Sequence, residues 1–185
     1  NEMVLSPEQS PRVVASAIRH AVGDSGVAVV TIPGDIADED TATEAPVLGT
    51  LRRAPKVPHQ ETIQELASHI NRAKKVALFV GAGIEGAHDE VVSLAEKAAP
   101  PVGHSLRGKD FIQYDNPFDV GMTGLLGYGA AAEGIHDADL MIMIGTDFPY
   151  DQFLPETTTI QIDTDPSVMG RRTDVDLQIE GSALE

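Results

Sequence analysis

Uniformly apolar runs of about five residues, each stopped by glycine and followed by helix-patterned sequence, constrain the fold of this chain most. Val76–Val80 (VALFV) stops at Gly81, and Leu140–Ile144 (LMIMI) stops at Gly145. A run with no polar alternate must be buried on both faces, as strands inside a parallel sheet are. Helix-patterned stretches lie around these runs. Residues 61–73 carry Ile63, Leu66, Ala67 and Ile70 on one side, and further helices are predicted over 87–99 and about 130–137. Short strands are expected within PPVGHS (100–105), TIQID (159–163) and DLQI (176–179). Strands alternating with helices predict an α/β fold, doubly wound, with a mostly parallel five- or six-stranded sheet and helices on both faces.

The front of the chain has a different texture. Ser6-Pro7 opens a predicted amphipathic helix with Val13, Val14, Ala17, Ile18 and Ala21 on one face; GDSG ends it, and VAVVTIP (27–33) reads as a buried strand. Residues 37–60, rich in Pro, Thr, Ala and charge without sustained period, read as a linker. One helix and one strand cannot bury their faces alone. Residues 1–36 are therefore expected either to pack on the main sheet or to be the tail of another domain, and the chain to be a fragment of a longer protein. Oligomerisation through these residues would hide their apolar faces.

Composition narrows the partners. Thirteen Lys and Arg against 29 Asp and Glu leave a net charge of −16, which repels nucleic-acid phosphates and anionic lipid. The absence of cysteine excludes disulfides, thiolate metal sites and thiol nucleophiles. No apolar run approaches the roughly 18 residues that span a bilayer, and the first residues lack the regions of a signal peptide, so a cytoplasmic chain is expected.

Three loops at predicted strand ends are candidates for ligand contact. Gly81, Gly83 and Gly86 spell G-x-G-x-x-G, whose glycines allow a tight turn, close backbone approach and helix packing on the strand. A dinucleotide fingerprint also requires an acidic residue at the tip of the next strand, and that tip is Gly103-His104. The motif alone therefore leaves open a phosphate loop or a simple strand-to-helix turn, and an NAD-dependent dehydrogenase finds little support. The strand ending at Gly145-Thr146 does better, because the next strand places Asp163 at its carboxyl tip, where a ribose is usually gripped. Asp163 is equally suited to cap a helix over 165–170. GMTGLLGYG (121–129) suits close contact with an elongated ligand. Arg107 and Lys109 offer charge to a pyrophosphate or to the acidic surface. His88, Asp89 and Glu90 are adjacent on one helix and diverge, so no metal site is expected there. Asp147 and Asp151 read as solvated loop residues rather than a carboxylate pair, and no catalytic residue is assigned.

VGHSLRGKDFIQYDNPFDVGMTGLLGYG, IGTDFPYDQFLPE and IQIDTDP together resemble the central domain of thiamine-diphosphate-dependent pyruvate oxidases, in particular the pyruvate:quinone oxidoreductases. SPEQSPRVVASAIRHAV with GVAVVTIPGDIA resembles the last helix and strand of that family's pyrimidine-binding domain. The resemblance runs from about Pro7 to Gly181 and is specific from Gly103 to Pro166. It implies a remnant of the pyrimidine-binding domain at 1–36, a linker at 37–60, a central FAD-binding domain at 61–182 and a tail at 183–185, with Leu184-Glu185 read as a cloning scar. It implies FAD contacts at Thr123, Gly124, Leu125 and Leu126, at Thr146, Asp147, Phe148, Pro149 and Tyr150, and at Asp163. Gly81, Ala82 and Gly83 are implied as secondary contacts, and Arg107 joins the candidate cofactor contacts on its charge alone.

The family's G-D-G motif for thiamine diphosphate and Mg2+ is not present, since the chain has only Gly23-Asp24-Ser25 and Gly34-Asp35-Ile36. Those cofactors are accordingly expected in other domains of the parent, a homo-oligomer acting on pyruvate and a quinone and touching the membrane peripherally. The fragment alone is expected to be inactive and to retain FAD weakly. The alternatives are an acetolactate-synthase-like enzyme with structural FAD and a non-catalytic module binding ADP or a similar nucleotide.

Overall fold

The computed structural model describes residues 1–50, 54–127 and 129–185. They fall into two compact units, 1–54 and 55–185. Among the described residues no helix is long and apolar enough to cross a membrane.

In the first unit, β1 (Glu2–Met3) pairs in parallel with β2 (Val30–Thr31), and α1 (Ser10–Gly23) connects them. The Ser16 hydroxyl ties the helix to the strand by donating to the Glu2 carboxylate at 3.0 Å. A short helix, α2 (Gly34–Ala37), follows. Two expectations need correction here. The strand predicted over 27–33 shrinks to Val30–Thr31, and Val27 stands 93 % exposed. On α1, Val13 and Ala15 are buried while Val14 and Ile18 lie open. A strand is buried on both faces only inside a wider sheet covered by two layers, and this unit forms a single pair of two-residue strands.

The second unit is the doubly wound sheet. It begins with α3 (Gln60–Arg72) and contains β3 (Val76–Val80), α4 (His88–Ala98), β4 (Val102–His104), α5 (Lys109–Ile112), β5 (Asp119–Met122), α6 (Gly129–His136), β6 (Leu140–Ile144), β7 (Thr158–Asp163) and β8 (Leu177–Glu180). All six strands are parallel, in the order β5-β4-β3-β6-β7-β8. Strand residues alternate between two cores. Leu78, Val80, Ile142, Ile144 and Ile160 join Val91 and Ala95 of α4 on one face. Ala77, Phe79, Met141 and Met143 join Ile135 of α6 and Phe148 on the other. Helices thus cover both faces, as a fully apolar strand requires.

Three details depart from the reading of the sequence. The sixth strand is β5, over residues read in the sequence as loop; DVGM lacks an apolar pattern because it is an edge strand, paired on one side only among the described residues. The connections from β6 to β7 and from β7 to β8 carry no α-helix. On α3, Leu66 and Ile70 pack against the core, but Ile63 and Ala67 remain exposed, so the helix lies on the rim. Asp139 pins the register at the amino ends of the central strands. Its carboxylate accepts the backbone N–H groups of Lys74 and Lys75 at 3.0–3.1 Å, and those bonds, that to Lys75 first, hold its pKa below the ordinary carboxyl value.

The strand order reverses between β3 and β6, which creates a switch point at their carboxyl ends. There the glycine loop after β3 lies against the end of β6. The Gly81 N–H donates to the Ile144 carbonyl at 3.0 Å, and the Gly83 N–H to the Gly145 carbonyl at 2.9 Å. A methyl group on Gly83 would stand 2.5 Å from Gly145 Cα, and Gly145 itself has φ +59°. Both clashing partners are backbone, so neither can turn aside. Gly83→Ala is expected to destabilise the second unit by about 2–3 kcal/mol in urea denaturation; an unchanged midpoint would show that the junction is loose.

Candidate functional site

A cleft of about 430 Å³ opens at the carboxyl ends of β3 and β6, lined by Ala82, Ser105, Leu106, Arg107, Gly145, Thr146, Asp147, Phe148, Pro149 and Tyr150. Crevices outside the carboxyl ends of strands at a switch point are the usual ligand sites of open α/β sheets. Three loops line it, those after β3, β4 and β6, and the loop after β5 approaches its aromatic wall.

The loop after β4 turns back over β3. The Ser105 N–H donates to the Val80 carbonyl at 2.9 Å, and the Ser105 hydroxyl accepts from the Gly108 N–H at 3.3 Å, closing a short 3-10 turn over Leu106–Gly108. That turn lifts Arg107 to the cleft mouth. Among the described residues Arg107 has no hydrogen bond or ion pair, so its guanidinium is available to an anion. Lys109 begins α5 and does not line the cleft.

The loop after β6 is held from below and from the side. Phe148 is 3 % exposed and meets Phe79 edge-to-face at 4.9 Å and Tyr150 at 5.4 Å. The Gly145 N–H donates to the Ile162 carbonyl of β7 at 2.8 Å. Asp147 does not pair with Asp151. Its carboxylate accepts from Arg171 Nη1 at 2.8 Å and from Arg172 Nε at 3.2 Å, while Asp151 accepts the Gln152 N–H.

The loop after β5 meets the same rings. Gly124 has φ +101°, and a Cβ there would stand 2.9 Å from Phe148 Cζ. The Thr123 hydroxyl is buried without a hydrogen-bond partner among the described residues, which is costly unless a ligand or water satisfies it. Leu125 and Leu126 project outward, 64 % and 69 % exposed, and do not line the cleft. Tyr128 lies outside the described residues.

Asp163 ends β7 next to the loop after β6, one register step beyond the Ile144–Ile162 pair. No helix follows it. Residues 164–170 form turns, and the Asp163 carboxylate accepts the Asp165 N–H at 2.9 Å, an Asx-type turn rather than a helix cap. Burial, first, and then the nearby Asp165 and Asp147 carboxylates raise the Asp163 pKa above its ordinary 3.8.

Of the residues singled out in the sequence, Ala82, Arg107 and Thr146–Tyr150 share the cleft. Gly124 abuts its aromatic wall, Asp163 flanks it near Asp147, and Thr123 precedes Gly124 without lining the cleft. Gly81 is packed against the Gly145 backbone and the Thr146 side chain, and Gly83 against the Gly145 backbone, which explains their lack of side chains without any ligand. Sequence reasoning missed Ser105, Gln161, Arg171 and Arg172. The consecutive arginines were a visible signal, but their partner Asp147 lies 24 and 25 residues away. His88 engages both ring nitrogens, with Asp89 and with the Tyr114 carbonyl, and stacks on the Tyr114 ring. Among the described residues no group of three or more His, Asp and Glu is placed to hold a metal.

The raised Asp163 pKa has a definite sign for stability. The folded state holds this proton more tightly than the unfolded chain, so stability falls as pH rises through the window between 3.8 and the raised folded value. Asp163→Asn keeps the oxygen that accepts the Asp165 N–H and removes the buried charge. Its melting temperature is expected at or above that of the parent chain at pH 7, with the gain vanishing below pH 3.8. A lower melting temperature at pH 7 would contradict this assignment of the charge.

Comparison with known proteins agrees with this fold. Residues 63–185 match the family described as thiamine pyrophosphate enzyme, central domain. The chain is 46 % identical over 183 residues to an uncharacterized 42.6 kDa protein of Pseudomonas amyloderamosa, covering 97 % of this chain and 46 % of that protein. It is 31 % identical over 196 residues to the acetolactate synthase large subunit of Corynebacterium glutamicum, covering 100 % of this chain and 31 % of that subunit. A benzoylformate decarboxylase structure from Polynucleobacter necessarius shares the fold at TM-score 0.76 and 24 % identity, over 98 % of this chain and 36 % of that one. The chain thus spans less than half the length of these relatives. With a matching family domain laid over the six-stranded sheet and its cleft, this chain belongs to the thiamine pyrophosphate enzymes and contains their central domain.

Proposed function

We propose that the chain supplies the flavin-binding central domain of a thiamine-diphosphate- and FAD-dependent enzyme that converts pyruvate and water to acetate and CO2. Two electrons and two protons then pass to a quinone. The observation that carries this reading is the cleft at the β3–β6 switch point, with Arg107 uncommitted at its mouth and the Thr123 hydroxyl buried without a described partner.

The residues fit an adenine dinucleotide. Arg107 would hold the pyrophosphate by charge, and Asp163 would accept from ribose hydroxyls. The backbone of 146–150 and of 123–126 would follow the elongated remainder, with Thr123 Oγ1 gaining its missing partner. Of the first glycine loop, only Ala82 faces the cleft, so Gly81 and Gly83 would act by bringing the two strand ends together. Bound FAD would supply a two-electron acceptor, which no side chain of this chain can provide. The chain's own part is to bind, orient and shield. Thiamine diphosphate and Mg2+, which the family membership implies, would be held elsewhere in the longer protein. Within that protein a homo-oligomer, soluble or peripherally membrane-bound, is proposed.

A second reading is an acetolactate-synthase-like parent with structural FAD, favoured by the relationship to the Corynebacterium enzyme across the whole chain. Both readings share the cofactor and differ in product.

Calorimetric titration of the 185-residue chain with FAD and with ADP tests the shared part. FAD is expected to bind more tightly than ADP, although weakly, and Arg107→Ala is expected to lower FAD affinity about tenfold. Equal or tighter ADP binding would favour a nucleotide-sensing module. Pyruvate-dependent dye reduction by the longer protein, with acetate as product, separates the oxidase from a synthase that releases acetolactate.

A further inference from the structure

Gln161 points to a function that neither its sequence position nor the cleft lining announces. It lies in the middle of β7, 3 % exposed, among Thr159, Ile160 and Ile162. A polar side chain in the interior of a parallel sheet is destabilising unless its amide is fully bonded. Here both ends are bonded, and to two different loops. Nε2 donates to the Thr146 carbonyl at 3.1 Å, and Oε1 accepts the Gly170 N–H at 2.9 Å. Gln161 therefore joins the cleft loop after β6 to the turn segment after β7.

A second connection between the same two loops lies at the surface. The Asp147 carboxylate accepts from Arg171 Nη1 and Arg172 Nε, and Arg171 Nη2 donates back to the Ser167 carbonyl at 3.1 Å, stiffening its own segment. Thr146 and Asp147 line the cleft, whereas Gln161, Arg171 and Arg172 do not. The two consecutive residues that start the binding loop are thus held from behind by three side chains that the cleft does not contain.

We propose that Gln161, with Arg171 and Arg172, is a latch that positions the 146–150 loop for its ligand, so that affinity is set partly by residues that never touch that ligand. The identity of the ligand as an adenine dinucleotide rests on the function proposed above. The latch itself does not. Phe148 fixes the loop to the core beneath, and the latch fixes its lateral position; without the latch, the loop samples orientations in which the backbone groups of 146–150 no longer converge.

Gln161→Leu removes both hydrogen bonds at similar volume, and Gln161→Glu keeps the acceptor for Gly170 while losing the donor to Thr146. Arg172→Lys keeps charge near Asp147 without the planar fork. Amide hydrogen exchange of the ligand-free 185-residue chain decides the latch. In Gln161→Leu, exchange of the Gly145 amide, which bonds the Ile162 carbonyl at the base of the loop, is expected to accelerate at least about tenfold while the β6 amides of 140–144 keep their protection, as local opening predicts. Acceleration at both places alike would mean a global loss of stability and would overturn the latch, as would no change at Gly145. FAD affinity is read at a temperature where every variant is fully folded. There the order parent, Arg172→Lys, Gln161→Glu, Gln161→Leu is expected to span about tenfold in Kd. Unchanged Kd in all three variants would overturn the positioning role. A parent chain that binds no FAD would defeat the proposed function instead, leaving the exchange result to decide the latch.

Discussion

Parallel pairing of β3 with β6 is the constraint on which the rest of this domain depends. It sets the strand order that reverses at their carboxyl ends, and it brings two glycine turns into backbone contact, with Gly83 lying against Gly145. Side chains at that contact would force the strand ends apart. Because they are absent, the loops after β3, β4 and β6 converge on one place, and the cleft is the space left between them. Gly81 and Gly83 of the G-x-G-x-x-G spacing are consequently explained by protein packing on protein, and Gly86 by its φ of +82° in open space.

The chemistry around the cleft contrasts with the chain as a whole. A net charge of −16 surrounds a mouth at which Arg107 has no described counter-ion, while Arg171 and Arg172 are consumed by Asp147. An anionic group approaching the cleft meets the uncommitted arginine, and nearby arginines serve the loop instead. Asp163, half-buried and raised in pKa, is the opposite case: a charge that folding disfavours and that a hydroxyl-bearing ligand would stabilise. The end of β7 at Asp163 and the unsatisfied buried hydroxyl of Thr123 after β5 are two separate places where the folded chain gives up stability.

Much of this was legible in the residues because burial on both faces leaves a strong local mark. Val76–Val80 and Leu140–Ile144 read as central parallel strands and are such strands, and Thr146 and Asp163 stand at adjacent strand ends as their spacing suggested. Edges were less legible. β5 carries Asp119 and Gly121 because one side of it pairs with nothing, so its pattern resembled a loop. The apolar 27–33 run misled in the opposite direction, since apolar sequence records what a segment buries in its full context, and the first unit alone offers it no second layer. Gln161 was invisible for a different reason. Its importance lies in two partners 15 and 9 residues away, chosen by the loops' three-dimensional path rather than by any period along the chain.

The most direct measurement is a crystal structure of the chain grown with saturating FAD. A dinucleotide is expected across the carboxyl ends of β3, β6 and β7, in contact with Ala82, Arg107 and the 146–150 loop, and with the Thr123 hydroxyl hydrogen-bonded. Density for the dinucleotide at the amino ends of the strands, or an empty cleft in crystals whose chain is shown to bind FAD in solution, would contradict it.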